Sequence, residues 1–237
     1  MRPLPRLHSD SDFPPSCEAL EDPNGLLAIG GDLSAQRLIL AYRRGIFPWY
    51  EAPQPLLWWT PDPRSVLFPD ELHVSGSLRK TLRKNDFQLA VDQQFTQVMC
   101  ACAGARGDGV GTWIDTDMVA AYSRLQQLGL AHSIEVMDAA GALVGGLYGV
   151  SLGRVFFGES MFSSVSNASK VAFVGLVSIL RRADFHMIDC QLESEHLNSL
   201  GARTIKRVDF EQRLEQAVDI ATSDDMWELP ATCGGLL

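Results

Sequence analysis

The sequence predicts an α+β fold, with a mixed, largely antiparallel central sheet flanked by helices and preceded by a small N-terminal domain. Three observations carry this. Ten of the twelve prolines fall within residues 1–63 of the 237, which sets that turn-rich unit apart from residues 64–237. Three strand-like runs, 131–137, 142–150 and 154–159, follow one another across short turns, as antiparallel neighbours do. An apolar helical pattern over 168–182 then leads to a further strand at 185–192.

Taken in order, the N-terminal unit holds one clear helix, 34–44. Ser34 suits its N-cap, Arg43 and Arg44 its negative end, and Gly45 the residue beyond. The following GIFPWYEAPQPLLWWTPDPR excludes regular helix, because each proline removes a donor and restrains its predecessor. Trp49, Tyr50, Trp58 and Trp59 crowd this stretch. Helices are expected at 76–84, 93–103 and 117–128, the last stopping at Gly129. After the three-strand meander, Asn167 is expected to cap the helix at 168–182. A short helix at 195–200, a strand at 203–205 and a helix at 209–219 close the chain. Meander, helix, strand is the plan of the coenzyme A-dependent N-acetyltransferases (GNAT type), although several α+β folds share it.

The net charge of -9, from 20 basic and 29 acidic residues, excludes a general polycation but not a local basic patch. Five cysteines without a C-x-x-C argue against a disulfide framework and a thiolate zinc site; five scattered histidines add no metal spacing. The opening MRPLPRLHSDSDF lacks the apolar core of a secretory signal, and the apolar run 171–180 is half a membrane span. The expectation is a cytoplasmic monomer with no metal and no membrane association.

The chemistry-bearing candidates sit at strand ends. In FHMIDCQL (185–192), strand alternation puts Asp189 and Gln191 on one face and Cys190 on the other. Such a pair either caps a neighbouring loop or is aimed into a cleft, where it would assist an attacking amine. Glu159, expected to end the strand RVFFGE, is either a surface acid or an anionic subsite near Asp189. In SLRKTLRK (77–84), Arg79, Lys80, Arg83 and Lys84 form a helical ridge, serving as a solvated face or as a phosphate grip. RGDGVG (106–111) fits the loop that cradles the coenzyme A pyrophosphate, but it precedes the meander instead of following it. Coenzyme A is therefore disfavoured. A non-catalytic RNA- or peptide-binding module would keep the ridge and the aromatics without needing Asp189 and Gln191 together. A cysteine hydrolase is disfavoured because no histidine is suitably placed for Cys190.

Ten stretches, in order, resemble the leucyl/phenylalanyl-tRNA–protein transferases from about Phe13 to Val218. They are PNGLLAIGGDLS (23–34), YRRGIFPWY (42–50), WWTPDPR (58–64), GTWI (111–114), AHSIEV (131–136), LVGGLYGV (143–150), FGESMFS (157–163), NASK (167–170), IDCQ (188–191) and HLNSLGA (196–202). The resemblance implies transfer of leucine or phenylalanine from its tRNA to the α-amino group of proteins beginning with arginine or lysine, marking them for degradation. It also implies an acetyltransferase-like domain behind a small N-terminal one, and no cofactor, since the donor is already an activated ester. Carried over by position, it makes Asp189 and Gln191 the catalytic couple and Glu159 the acid for the acceptor's positive charge. Tyr42, Trp49, Trp113, Tyr122 and Ser194 are expected around the terminal adenosine. Leu147, Phe156 and Leu176 are expected around the leucyl or phenylalanyl side chain. Arg79, Lys80, Arg83 and Lys84 are expected to grip the tRNA acceptor arm. Two positions depart from the family pattern. Ser194 stands where asparagine or threonine is expected, and Leu176 where an aromatic can occur.

Overall fold

The computed structural model describes residues 4–8, 11–51, 53–104 and 114–237. The glycine-rich loop 106–111 and Trp113 lie outside them. The proline-dense N-terminal segment contains a sheet that sequence reading missed. Strands β1 (Arg6–Leu7), β2 (Leu26–Gly30), β3 (Phe47–Pro48) and β4 (Leu57–Trp59) lie in the order β1-β2-β4-β3. Helix α1 (Ala35–Arg43) starts as its sequence predicts, with Ser34 Oγ accepting the Arg37 N–H. Gly45 follows at φ +68°, where a Cβ would lie 2.5 Å from the Phe210 ring; glycine serves both the helix exit and the packing.

The second sheet begins with β5 (Arg64–Leu67) and continues through β6 (Gln88–Val91), β7 (Ala131–Met137), β8 (Leu143–Leu152), β9 (Val155–Ser163), β10 (Met187–Gln191) and β11 (Arg203–Ile205). Its order is β11-β5-β10-β9-β8-β7-β6, and only β9 and β10 run parallel. The sheet is mixed and largely antiparallel, as expected, with the three-strand meander β9-β8-β7 lying between β10 and β6. Strand β9 is longer than the sequence suggests and carries Glu159 within it rather than at its end. Strands β5 and β6 were not anticipated. Each has four residues, too few to show alternation.

Helices α2 (Gly76–Lys84), α3 (Phe95–Gly104), α4 (Thr116–Gln127), α5 (Ala168–Arg182), α6 (Glu195–Asn198) and α7 (Arg207–Ala217) complete the chain. One sheet face packs Tyr148, Val150 and Phe157 against α3, α4 and the N-terminal unit. The other packs Ile134, Leu147 and Phe156 against α5, whose apolar stripe is buried along Val171, Val174 and Val177. The expected cap of α5 is absent: Asn167 is left-handed at φ 70° and its side chain makes no bond to the helix. Beyond α7 the chain returns across the α5 face. Trp227 stacks on His132 at 3.7 Å, and the backbone of Ala231 and Cys233 bonds Leu89 and Phe87, covering the edge strand β6. No helix among the described residues is long and apolar enough to cross a membrane.

Candidate active site

Two irregularities in the central sheet shape the site. Strands β9 and β10 pair from Met187–Val155 to Asp189–Phe157, and no further paired residues extend that ladder. Beyond that point each carries a bulge against its other neighbour. On β9 the register with β8 steps from Gly158 to Ser160, leaving Glu159 as the extra residue. On β10 the register with β5 steps from Asp189 to Gln191, leaving Cys190 extra, and Gln191 sits at φ 62°. The bulges re-aim Glu159 and Gln191 toward each other. Gln191 Nε2 donates to Glu159 Oε1 at 3.0 Å.

Glu159 is the centre of a wider network. Tyr42 from α1 donates its hydroxyl proton to Oε1 at 2.7 Å, and Tyr122 from α4 donates to Oε2 at 3.0 Å. The two phenolic oxygens also contact each other. Three oxygen–oxygen contacts joined by two phenolic protons leave one contact without a proton while Glu159 is ionised. Burial, the largest influence, raises the Glu159 carboxyl to about 7. The tyrosine and glutamine donors pull the other way, and the neighbouring negative Asp189 adds to the rise. Burial and the Glu159 charge in turn push both phenols well above the usual tyrosine range, so they remain donors.

Beside this network lies a cavity of about 490 Å³. Leu147, Phe156, Phe173, Leu176 and Ile188 supply apolar wall, while Glu159, Gln191 and Ser194 supply polar groups. The structure thus brings together six residues expected from sequence: Glu159, Gln191, Ser194, Leu147, Phe156 and Leu176. Ser194 also caps α6, its Oγ accepting the Leu197 N–H at 3.2 Å.

Other expected residues are placed differently. Asp189 is fully buried, does not line the cavity, and faces the N-terminal core. Strand alternation fails here because the bulge intervenes: Cys190 and Gln191 both line the cavity, while Asp189 turns away. Asp189 is gripped by Arg64 through two bonds, Nε to Oδ1 at 2.8 Å and Nη2 to Oδ2 at 2.7 Å. The guanidinium lies between the Phe47 and Phe210 rings, 4.8 and 4.7 Å from their centroids. Oδ1 also accepts the backbone N–H of Gln191 at 2.9 Å, which pins the bulge. Arg64 was not singled out in the sequence, where nothing in TPDPR marks it as a charge partner.

Tyr42 and Tyr122 present no exposed ring face and reach the site through their hydroxyls alone. Trp49 is half-buried against Trp59, at 5.4 Å between centroids, and is not part of the cavity wall. Arg79, Lys80, Arg83 and Lys84 are exposed on α2 and make no ion pair among the described residues, while Leu78 and Leu82 bury its other side. No group of three or more potential metal ligands occurs among the described residues. His196, also in the cavity wall, is held below its ordinary range by burial and by Lys170.

A cavity with one apolar wall and a polar side bearing Glu159, Gln191 and several serines can seat an acyl group beside an amine, and similarity places the chain among enzymes of that class. Residues 66–215 match the leucyl/phenylalanyl-tRNA protein transferase family model, and residues 31–62 match that family's N-terminal domain. A leucyl/phenylalanyl-tRNA–protein transferase of Nitrosospira multiformis is 60% identical over 94% of this chain and 96% of its own. Those of Azotobacter vinelandii (57% identical; 92% of this chain, 97% of its own) and Pseudomonas aeruginosa (56%; 92% and 96%) carry the same description. The chain belongs to the leucyl/phenylalanyl-tRNA–protein transferase family. It is a transferase that moves leucine or phenylalanine from aminoacyl-tRNA to protein.

Proposed function

We propose that the acceptor is a protein beginning with arginine or lysine, and that Glu159 receives its positive charge. The observation that carries this is the acid at the fork of β9 and β10, the one carboxylate among the cavity's described lining residues. Held by Tyr42, Tyr122 and Gln191, it cannot swing away, and a cation drawn to it would meet the cavity mouth in one orientation. Leu147, Phe156 and Leu176 would take the leucyl or phenylalanyl side chain, Ser194 the terminal adenosine. One methylene in such an apolar pocket is worth roughly 1–3 kcal/mol, so selection among unbranched-at-Cβ side chains is modest. The exposed ridge on α2 would hold acceptor-arm phosphates.

In the reaction the amine nitrogen bonds to the ester carbonyl carbon and the carbon–oxygen bond to the ribose breaks. The proton shed by the amine ends on the departing ribose oxygen. An amine is mostly protonated at neutral pH, so its proton must leave before or during attack. Gln191 lies on the cavity wall and can orient the amine. Asp189 acts at one remove, by fixing Arg64 and the Gln191 backbone. The finer fold reading, an acetyltransferase-like core, is supported by the parallel β9–β10 pair with α5 crossing between them. That pair ends where the cavity opens.

A transfer assay tests the acceptor reading. Labelled leucyl-tRNA is offered to two peptides that differ only in beginning with arginine or glycine, without ATP or coenzyme A. Label should pass to the arginine peptide alone; equal labelling of both peptides would refute the acidic subsite.

A further inference from the structure

We propose that Asn167 and Thr81 are positioning residues that register the tRNA-holding helix α2 against the walls of the transfer cavity. The proposal rests on the reading of α2 as the acceptor-arm grip.

Asn167 precedes the longest helix among the described residues, yet its side chain does not cap it. Instead Nδ2 donates to Thr81 Oγ1 of α2 at 3.0 Å. Thr81 is oriented to accept, because its own hydroxyl proton goes to the Ser77 carbonyl at 3.3 Å, one helical turn back. An N-cap side-chain oxygen normally accepts from an orphan N–H of its own helix, and the left-handed Asn167 makes no such bond. The amide nitrogen, which a cap would not use, is the group that ties the start of α5 to α2.

The first turn of α5 reaches the cavity on the other side of this bond. Ser169 lines the cavity, and its N–H donates at 3.2 Å to Oγ of Ser163, a second lining residue. Lys170 Nζ bonds Ser199 Oγ at 3.2 Å, tying the same turn to the chain that follows α6. Ser194, His196 and Leu197 of the α6 region form part of the cavity wall. A short run of hydrogen bonds therefore joins the basic helix to two walls of the cavity. On α2, Leu78 and Leu82 anchor the buried stripe, and Thr81 supplies this specific polar link. A charged ridge held in register would let the acceptor-arm phosphates and the 3′ end be held at once; loosened, the two contacts would no longer reinforce each other and the donor would bind more weakly.

The test compares two donors, full leucyl-tRNA and the 3′-leucyl ester of adenosine, which lacks an acceptor arm. Asn167→Gly removes the amide while keeping the left-handed backbone free of strain. Thr81→Val removes the acceptor oxygen at nearly constant volume, and Thr81→Ser retains it. Loss of one hydrogen bond should raise KM for leucyl-tRNA about three- to tenfold in N167G and T81V, with T81S near wild type. KM and kcat with the adenosine ester should stay within about twofold. Equal losses with both donors, or no loss with either, would overturn the inference by showing only a general structural role or none. Double charge reversal, R79E/K80E, separates this from the underlying reading. If it too leaves KM for leucyl-tRNA unchanged, α2 is not the grip and both fall. If it raises KM while N167G and T81V do not, only the registration is refuted.

Discussion

Replacing Glu159 by glutamine isolates the charge of the acceptor subsite from its shape. The amide has the same length, can still accept from Tyr42 and Gln191, and can donate to the Tyr122 oxygen, so the network should persist. With a midpoint of about 7, Glu159 is ionised in about one tenth of molecules at pH 6 and about nine tenths at pH 8. The acceptor amine also deprotonates over this range, but identically for both proteins, so it cancels in their ratio. The ratio of wild-type to E159Q kcat/KM for an arginine-first peptide should therefore rise about five- to tenfold from pH 6 to pH 8 and then level off. Its plateau should be about ten- to a hundredfold, since a hydrogen bond to a charged group is worth about 1.5–3 kcal/mol. Single-turnover transfer from a saturating donor measures it. A ratio that does not change with pH, at any magnitude, would refute ionic recognition by Glu159.

The same group links stability to pH. Its carboxyl holds a proton more tightly folded than unfolded, so its stabilising contribution is complete below about 4.5 and is lost as pH rises through about 7. Relative to E159Q, wild type should lose at most about 3 kcal/mol of unfolding free energy between pH 4.5 and pH 8, read by urea titration. Asp189→Ala leaves the Arg64 guanidinium buried and unpaired, and should destabilise the fold by about 3–5 kcal/mol. Full activity loss with unchanged stability would instead argue for direct chemistry by Asp189. Leu176→Phe fills part of the cavity floor and should disfavour phenylalanyl over leucyl donors by about tenfold in kcat/KM, measured in competition. Neutralising Arg79, Lys80, Arg83 and Lys84 together should flatten the log–log salt dependence of tRNA binding by about 3 to 4 units; an unchanged slope would place the grip elsewhere.

The meander, α2 and α5 could be read from the sequence because each is long or strongly periodic, and the five-residue strand of Asp189 was found as the apolar run that follows α5. The N-terminal sheet could not, since its strands are two to five residues long and interrupted by proline. At the site, the apolar wall was expected from the family resemblance alone, and Glu159 was singled out as a lone acid after an apolar run, though it lies within its strand rather than at its end. What failed was alternation: a period of two assigns Asp189 and Gln191 to one face, but a bulge and one left-handed residue separate them. Arg64, distant in sequence and undistinguished locally, shows that a buried charge pair is a property of the packing and not of a motif. The same holds for Tyr42 and Tyr122, which the resemblance places around the adenosine and whose hydroxyls the fold directs to Glu159.

The most direct test of the acidic subsite is to follow the ionisation of Glu159 itself. With glutamate labelled by ¹³C at Cδ, and the resonance assigned by its absence in E159Q, the carboxyl shift can be titrated with and without peptide. Free protein should titrate near 7, and an arginine-first peptide should lower that midpoint while a glycine-first peptide leaves it unmoved. A midpoint in the ordinary carboxylate range, or one indifferent to the arginine peptide, would contradict the assignment of Glu159 as the acceptor's partner.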